Sequence, residues 1–215
     1  MRRGAGYPTR RLRVPGSLMQ PPDPAAAPPS EPPNGPPSRP GKHSSFEFVA
    51  HAPVLAALAG AERVLDMGCG RGDWSVALAQ RGTPVLALDR WVDGLAWLRA
   101  RSHGLPLLPA RADIAAPLPL ADASIDGVLL ALVLHHLAGS GRAAGVLAQI
   151  ARVLRPGGVL AIVEFLPVPP PPGPPLAVRL QPADVLALAA GAGLVDGEPQ
   201  PVADHVGLYV LRKPA

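Results

Sequence analysis

The stretch Val64-Leu65-Asp66-Met67-Gly68-Cys69-Gly70-Arg71-Gly72-Asp73-Trp74 is an apolar run that ends in an acid and opens into three alternating glycines. It predicts a strand, a tight turn and a helix start, because glycine is needed where backbone takes positive φ or lies against a ligand. Spacing and charge narrow the choice of ligand. A dinucleotide turn would read Gly-x-Gly-x-x-Gly, whereas Gly72 comes one residue early and Asp73 stands where the last glycine belongs. Asp66 and Asp73 bring carboxylates to both ends of the turn, which oppose a phosphate at a helix start and favour a cation. Two further acids, Asp89 and Asp113, close later apolar runs, and His135-His136 are the chain's paired imidazoles. An imidazole can take a proton from an attacking hydroxyl or amine.

These groups need elements to position them. Arg63–Met67 reads as the first strand, Trp74–Arg81 as a helix stopped by Gly82, Pro84–Asp89 as the second strand and Trp91–Arg101 as the second helix. Leu105–Asp113 is predicted as a third strand and Ile125–Val133 as a fourth. Gly141–Leu154 forms a helix with Ala144, Leu147, Ile150, Ala151 and Leu154 on one face, and Val159–Phe165 is a fifth strand. Alternating strand and helix implies an α/β fold with a parallel sheet. In such a sheet ligands sit beyond the carboxyl ends of the strands where strand order reverses, which is where Asp66, Asp89 and Asp113 fall. Upstream, Ser44-Ser45-Phe46-Glu47 has the Ser-x-x-Glu spacing of a capping box, and Pro53–Ala59 is a second short helix. Downstream, Pro167–Pro175 is a proline-rich loop and Gln181–Ala192 a helix with proline in its first turn.

Leu65-Asp66-Met67-Gly68-Cys69-Gly70-Arg71-Gly72 resembles the first motif of class I S-adenosylmethionine-dependent methyltransferases, and Leu154-Arg155-Pro156-Gly157-Gly158 resembles their turn before the fifth strand. The resemblance, to the type-11-like small-molecule branch, runs in order over residues 45–213. It implies a Rossmann-like, doubly wound, mostly parallel seven-stranded sheet with an antiparallel last strand, closed by a hairpin of Gly193–Glu198 and Val206–Arg212. The implied cofactor is S-adenosylmethionine, which carries an ammonium and a sulfonium and no phosphate.

By that resemblance Gly68 and Gly70 let the methionyl part approach main chain, so a side chain at either should clash. Asp66 contacts the amino-acid end or orders the turn. Asp89 accepts hydrogen bonds from the ribose hydroxyls, Arg90 lines the adenine through its stem, and Asp113 with the backbone N–H of Ile114 meets the adenine edge. Ala131 and Leu132 lie by the methionyl portion. Methyl transfer is an in-line displacement at an activated carbon, so alignment accounts for much of the acceleration and no catalytic residue is assigned. Acceptor contacts are expected from Phe46–His51, His135-His136 and Pro167–Pro175. His135 and His136 would point apart if the fourth strand continued through them.

Absences exclude several chemistries. The single cysteine, Cys69, lies in the glycine turn rather than near the fourth strand, where carbon-5 cytosine methylation needs a nucleophile. No Asn/Asp-Pro-Pro-Tyr sequence follows Ile125–Val133, and no His/Cys/Asp/Glu group has metal-ligand spacing. One cysteine also excludes an intramolecular disulfide, and with no run of eighteen apolar residues and no secretory signal the expected setting is cytoplasmic. Asp126 starts the fourth strand and is read as structural.

The 215 residues hold 20 Lys+Arg and 16 Asp+Glu; seven and two of these precede residue 43, leaving thirteen against fourteen. The later part is near neutral and lacks the clustered cations of a nucleic-acid binder. Residues 1–42, rich in Pro and Arg, are expected to be a disordered tail, and residues 43–215 the S-adenosylmethionine-binding domain. The expected activity is methylation of a small-molecule acceptor; the alternative is a cofactor-binding module without turnover.

Overall fold

A computed structural model describes residues 44–169 and 173–215; the expected tail, residues 1–42, lies outside them. Seven strands form one sheet: β1 (Val64–Met67), β2 (Val85–Asp89), β3 (Leu107–Arg111), β4 (Ile125–Ala131), β5 (Leu154–Phe165), β6 (Gln200–Ala203) and β7 (Val206–Arg212), in the order β3-β2-β1-β4-β5-β7-β6. β1 to β5 are mutually parallel, and β7 runs antiparallel to both β5 and β6. The strand order reverses between β1 and β4, so the ligand crevice of this architecture opens at their carboxyl ends.

Period-2 alternation divides the core into two layers. Leu65, Met67, Val128, Leu130, Leu160 and Ile162 face the layer that includes α4 (Leu134–Gly139), α5 (Ala143–Val153) and α6 (Pro182–Gly191). Val64, Leu129, Ala161 and Val163 face the layer that includes α1 (His51–Ala57), α2 (Asp73–Ala79) and α3 (Val92–Arg101). Both faces are covered, which is why the strands read as nearly continuous apolar runs. No described helix is long and apolar enough to cross a membrane.

Several expectations are corrected. The fourth strand ends at Ala131, and Leu132 takes φ 55, a left-handed turn that starts a helix holding both histidines. The sixth strand is Gln200–Ala203 rather than Gly193–Glu198, of which Val195 alone makes an isolated bridge, to Arg212. The capping box does not form: Ser44 makes no side-chain cap bond to the short 3-10 turn Ser45–Glu47. Ser44 and Glu47 reach the glycine turn instead, bonding Asp73 and Arg71. Asp126 has the structural role expected of it, with Arg155 Nε 2.7 Å from its Oδ1, pinning the loop where β5 slips register against β4.

Candidate active site

The turn after β1 is built on three left-handed glycines, Gly68, Gly70 and Gly72, at φ 77, 60 and 77. They do different work. A Cβ on Gly68 would sit 2.7 Å from Val133 Cγ2, and one on Gly72 would sit 2.3 Å from Leu98 Cδ1, so these two let the turn pack against its neighbours. A Cβ on Gly70 would meet no protein atom within 4 Å, so Gly70 faces open space, where a ligand could lie against the main chain.

That space is a cavity of about 430 Å³, and all eight residues assigned to the cofactor from sequence line it. Asp66, Gly68 and Gly70 come from β1 and its turn, Asp89 and Arg90 from the end of β2, Asp113 and Ile114 from the loop after β3, and Ala131 from the end of β4. Sequence reasoning missed Ser45, Trp74, Trp91 and Arg142 in the lining. The indoles flank the predicted strand ends, a signal that was legible; Ser45 enters only because the segment before α1 folds over the site. It is held there by Trp74 Nε1, which donates to Ser45 Oγ at 2.8 Å.

Both oxygens of Asp89 already accept from main chain: Gly70 N–H donates to Oδ2 and Trp91 N–H to Oδ1, each at 2.8 Å. Asp89 thus locks the glycine turn to the tip of β2 while lining the cavity, with acceptor capacity left on both oxygens. Asp113 also has an internal duty, since its Oδ1 accepts from Ala115 N–H at 3.0 Å and its Oδ2 lies 3.8 Å from Arg142 Nη1.

Asp66 is 2% exposed and accepts from Ser75 Oγ at 2.5 Å. Burial raises its carboxyl to about 7 despite the Ser75 bond, and the negative charges of Asp89 and Asp73 add to the rise. Asp73 moves the other way: burial alone would raise it, but hydrogen bonds from Arg71, Arg101 and Ser44 hold it below the ordinary carboxylate range. Burial, with Asp66 and Asp89 nearby, pushes the Cys69 thiol up, so it stays protonated and acts as a small lining residue. Among the described residues no group of three or more His, Cys, Asp or Glu is placed to hold a metal ion.

The two histidines part company in this site. His136 lines the cavity, whereas His135 is buried behind it, with ring centroids 4.0 Å apart.

Residues 65–162, from the middle of β1 into β5, match the family model for a methyltransferase domain. Over that segment the chain is similar to methyltransferase domains. The chain is 41% identical over 105 residues to an uncharacterized methyltransferase of Mycobacterium tuberculosis, covering 49% of this chain and 40% of that protein. It is 35% identical over 129 residues to the 27-O-demethylrifamycin SV methyltransferase of Amycolatopsis mediterranei, covering 55% and 44%. The chain therefore spans less than half the length of these relatives. A solved structure described as a SAM-dependent methyltransferase from Aquifex aeolicus shares the fold with TM-score 0.68 and 23% identity, over 80% of this chain and 94% of that one.

Proposed function

We propose that this methyltransferase domain binds S-adenosylmethionine in the cavity at the β1, β2 and β4 tips and transfers its methyl group to a small-molecule acceptor. The observation that carries this reading is the set of carboxylates around one open glycine turn: Asp66 beneath it, Asp89 beside it and Asp113 across the cavity, with Gly70 leaving room for a ligand at main chain. Such a lining suits a cationic sulfonium and its ammonium and opposes a pyrophosphate. Asp89 is placed to accept from ribose hydroxyls, Asp113 and the Ile114 N–H to meet the adenine edge, Arg90 to lie along it, and Ala131 to bound the methionyl part.

When bound, the cofactor supplies a methyl carbon already activated by positive sulfur. The domain's own residues then have to hold the acceptor in line and exclude water. A small-molecule acceptor is in keeping with the rifamycin-modifying relative, and the setting we infer is cytoplasmic, in keeping with a single, half-buried, protonated cysteine.

The test is calorimetric titration of the full chain with S-adenosylmethionine, S-adenosylhomocysteine and NAD, followed by methyl-labelled cofactor added to the small-molecule fraction of a cell extract. Binding of both sulfur nucleosides with a labelled product supports the reading. Preference for NAD overturns the site, and binding without product leaves only a cofactor-binding module.

A further inference from the structure

Glycine weakens a helix interior, yet Gly94 stands buried within α3 on ordinary helical backbone, so it is there for space and not for a left-handed turn. What takes up that space is the cavity wall. A Cβ on Gly94 would sit 2.6 Å from Gly70 O and 2.9 Å from Trp91 Cδ2, and closer still to Trp91 Cε3. Gly70 and Trp91 both line the cavity, and both give their N–H to Asp89. Each is therefore held at two points. The carboxylate at the tip of β2 takes the amide, and the bare Cα of Gly94 receives the Gly70 carbonyl and the Trp91 indole.

The contact belongs to a stripe. Gly94, Leu98 and Arg101 follow one another at helical spacing, so they share one face of α3. Along that face Gly94 meets Gly70, Leu98 fills the place that a side chain on Gly72 would need, and Arg101 Nη1 donates to Asp73 Oδ1 at 2.8 Å. The glycine turn and the residue after it thus rest on successive positions of one helix. Leu98 and Arg101 can adjust through rotatable side chains. At Gly94 the fit is stricter, because one neighbour is main chain and the other is a bulky ring. A side chain there has to move the Gly70 carbonyl or the Trp91 indole, and either movement reshapes the wall.

We propose that Gly94 is a positioning residue for the nucleoside: by carrying no side chain it fixes where the Gly70 main chain and the Trp91 indole stand in the cavity wall, and the indole lies against the bound ligand. This rests on the S-adenosylmethionine reading above. Gly94 and Trp91 are matched in size, since a large ring at 91 requires no side chain at 94. Replacing the glycine alone should therefore harm binding more than replacing both.

Calorimetry of the full chain with S-adenosylhomocysteine tests the match. Gly94→Ala should lower affinity at least about tenfold, and Trp91→Ala several-fold. The double variant, with room made at 91, should bind more tightly than Gly94→Ala alone, so losing the indole changes from harmful to helpful with the residue at 94. A role in stability alone would leave the two effects on binding additive. A second measurement needs no change at 94 and decides even where Gly94→Ala does not fold. With nitrogen-15 indoles, the Trp91 signal, identified by its loss in Trp91→Phe, should shift when S-adenosylhomocysteine is added, while that of Trp97, outside the cavity lining, stays in place. Gly94→Ala binding within about twofold of wild type, a double variant binding no more tightly than Gly94→Ala, or a Trp91 signal unmoved by bound ligand overturns the inference. Wild type that fails to bind S-adenosylhomocysteine overturns the nucleoside reading itself.

Discussion

Gly70 N–H donates to Asp89 Oδ2 at 2.8 Å, so the residue that leaves room for a ligand and the residue we propose for its ribose are joined directly. Asp89 therefore serves fold and site together. Asp89→Ala removes acceptors from two backbone N–H groups, Gly70 and Trp91, and should lower stability by about 1–3 kcal/mol as well as weaken nucleoside binding. Asp89→Asn keeps one accepting oxygen and should recover part of the stability while binding stays weak. Denaturant unfolding and calorimetry on both variants check this; binding by Asp89→Asn equal to wild type would remove Asp89 from the ribose.

Two glycines of one turn should respond in opposite ways. Gly68→Ala places a methyl 2.7 Å from Val133 Cγ2 at φ 77, so it should destabilise the fold by roughly 2–3 kcal/mol, in part restored by Val133→Ala. Gly70→Ala carries only the strain of φ 60, about 1 kcal/mol, because its Cβ points into open space. Its main effect should be on binding, with S-adenosylhomocysteine affinity reduced at least tenfold. Melting curves and titrations on the pair decide it, and a Gly70→Ala protein that binds normally would show that no ligand approaches that face of the turn.

Much of this site is legible in the sequence because it lies where strands stop. Asp66 is the penultimate residue of β1, Asp89 and Ala131 end β2 and β4, and a run of apolar residues closing on an acid marks such an end without any structure. What escaped depends on tertiary partners. The run Val128–Leu137 has no glycine, proline or cap to separate β4 from α4; the break is Leu132, a bulky residue forced to φ 55, and no local propensity announces it. Glu164 reads as an interruption of an apolar strand until His135 is seen beside it. β6 runs through Pro201, a residue that argues against a strand, yet an edge strand paired only to β7 tolerates it. Ser44 and Glu47 have capping-box spacing, but better partners in Asp73 and Arg71 drew them away.

Asp66 and Asp73 should give the domain opposed pH dependences. Asp66, raised to about 7, binds its proton more tightly folded than unfolded, so its contribution is fully present below pH 4 and is lost as pH rises towards 7. Asp66→Asn should gain stability on wild type across that window, up to the order of 4 kcal/mol by pH 8. Asp73, held low, contributes above the ordinary carboxylate range and loses that contribution as pH falls through its folded value. Asp73→Asn should therefore cost most at neutral pH and least in strong acid. Urea unfolding from strong acid to pH 8 separates the two, Asp66→Asn changing relative to wild type above pH 4 and Asp73→Asn below it. Binding of a cationic nucleoside at pH 6 should also release a proton from Asp66, seen as a calorimetric enthalpy that changes with the buffer's ionisation heat; no such dependence would place the cation away from Asp66.

The segment over the cavity is held by two contacts of unequal worth. Glu47 and Arg71 form an ion pair with side chains 46% and 21% exposed, in water and open to salt, so Glu47→Gln should cost less than about 1 kcal/mol. Trp74 Nε1 and Ser45 Oγ meet in the interior, Ser45 being 5% exposed. Ser45→Ala leaves the indole N–H buried without an acceptor, which costs about 1–3 kcal/mol. If this segment closes over the nucleoside, its loosening should appear in the rate of ligand escape. Stopped-flow displacement of S-adenosylhomocysteine, followed by tryptophan fluorescence, should show Ser45→Ala releasing ligand several-fold faster at any ionic strength, and Glu47→Gln releasing it slightly faster at low salt only. Equal release rates in all three proteins would mean that Ser44–Ala50 covers the cavity without gating it.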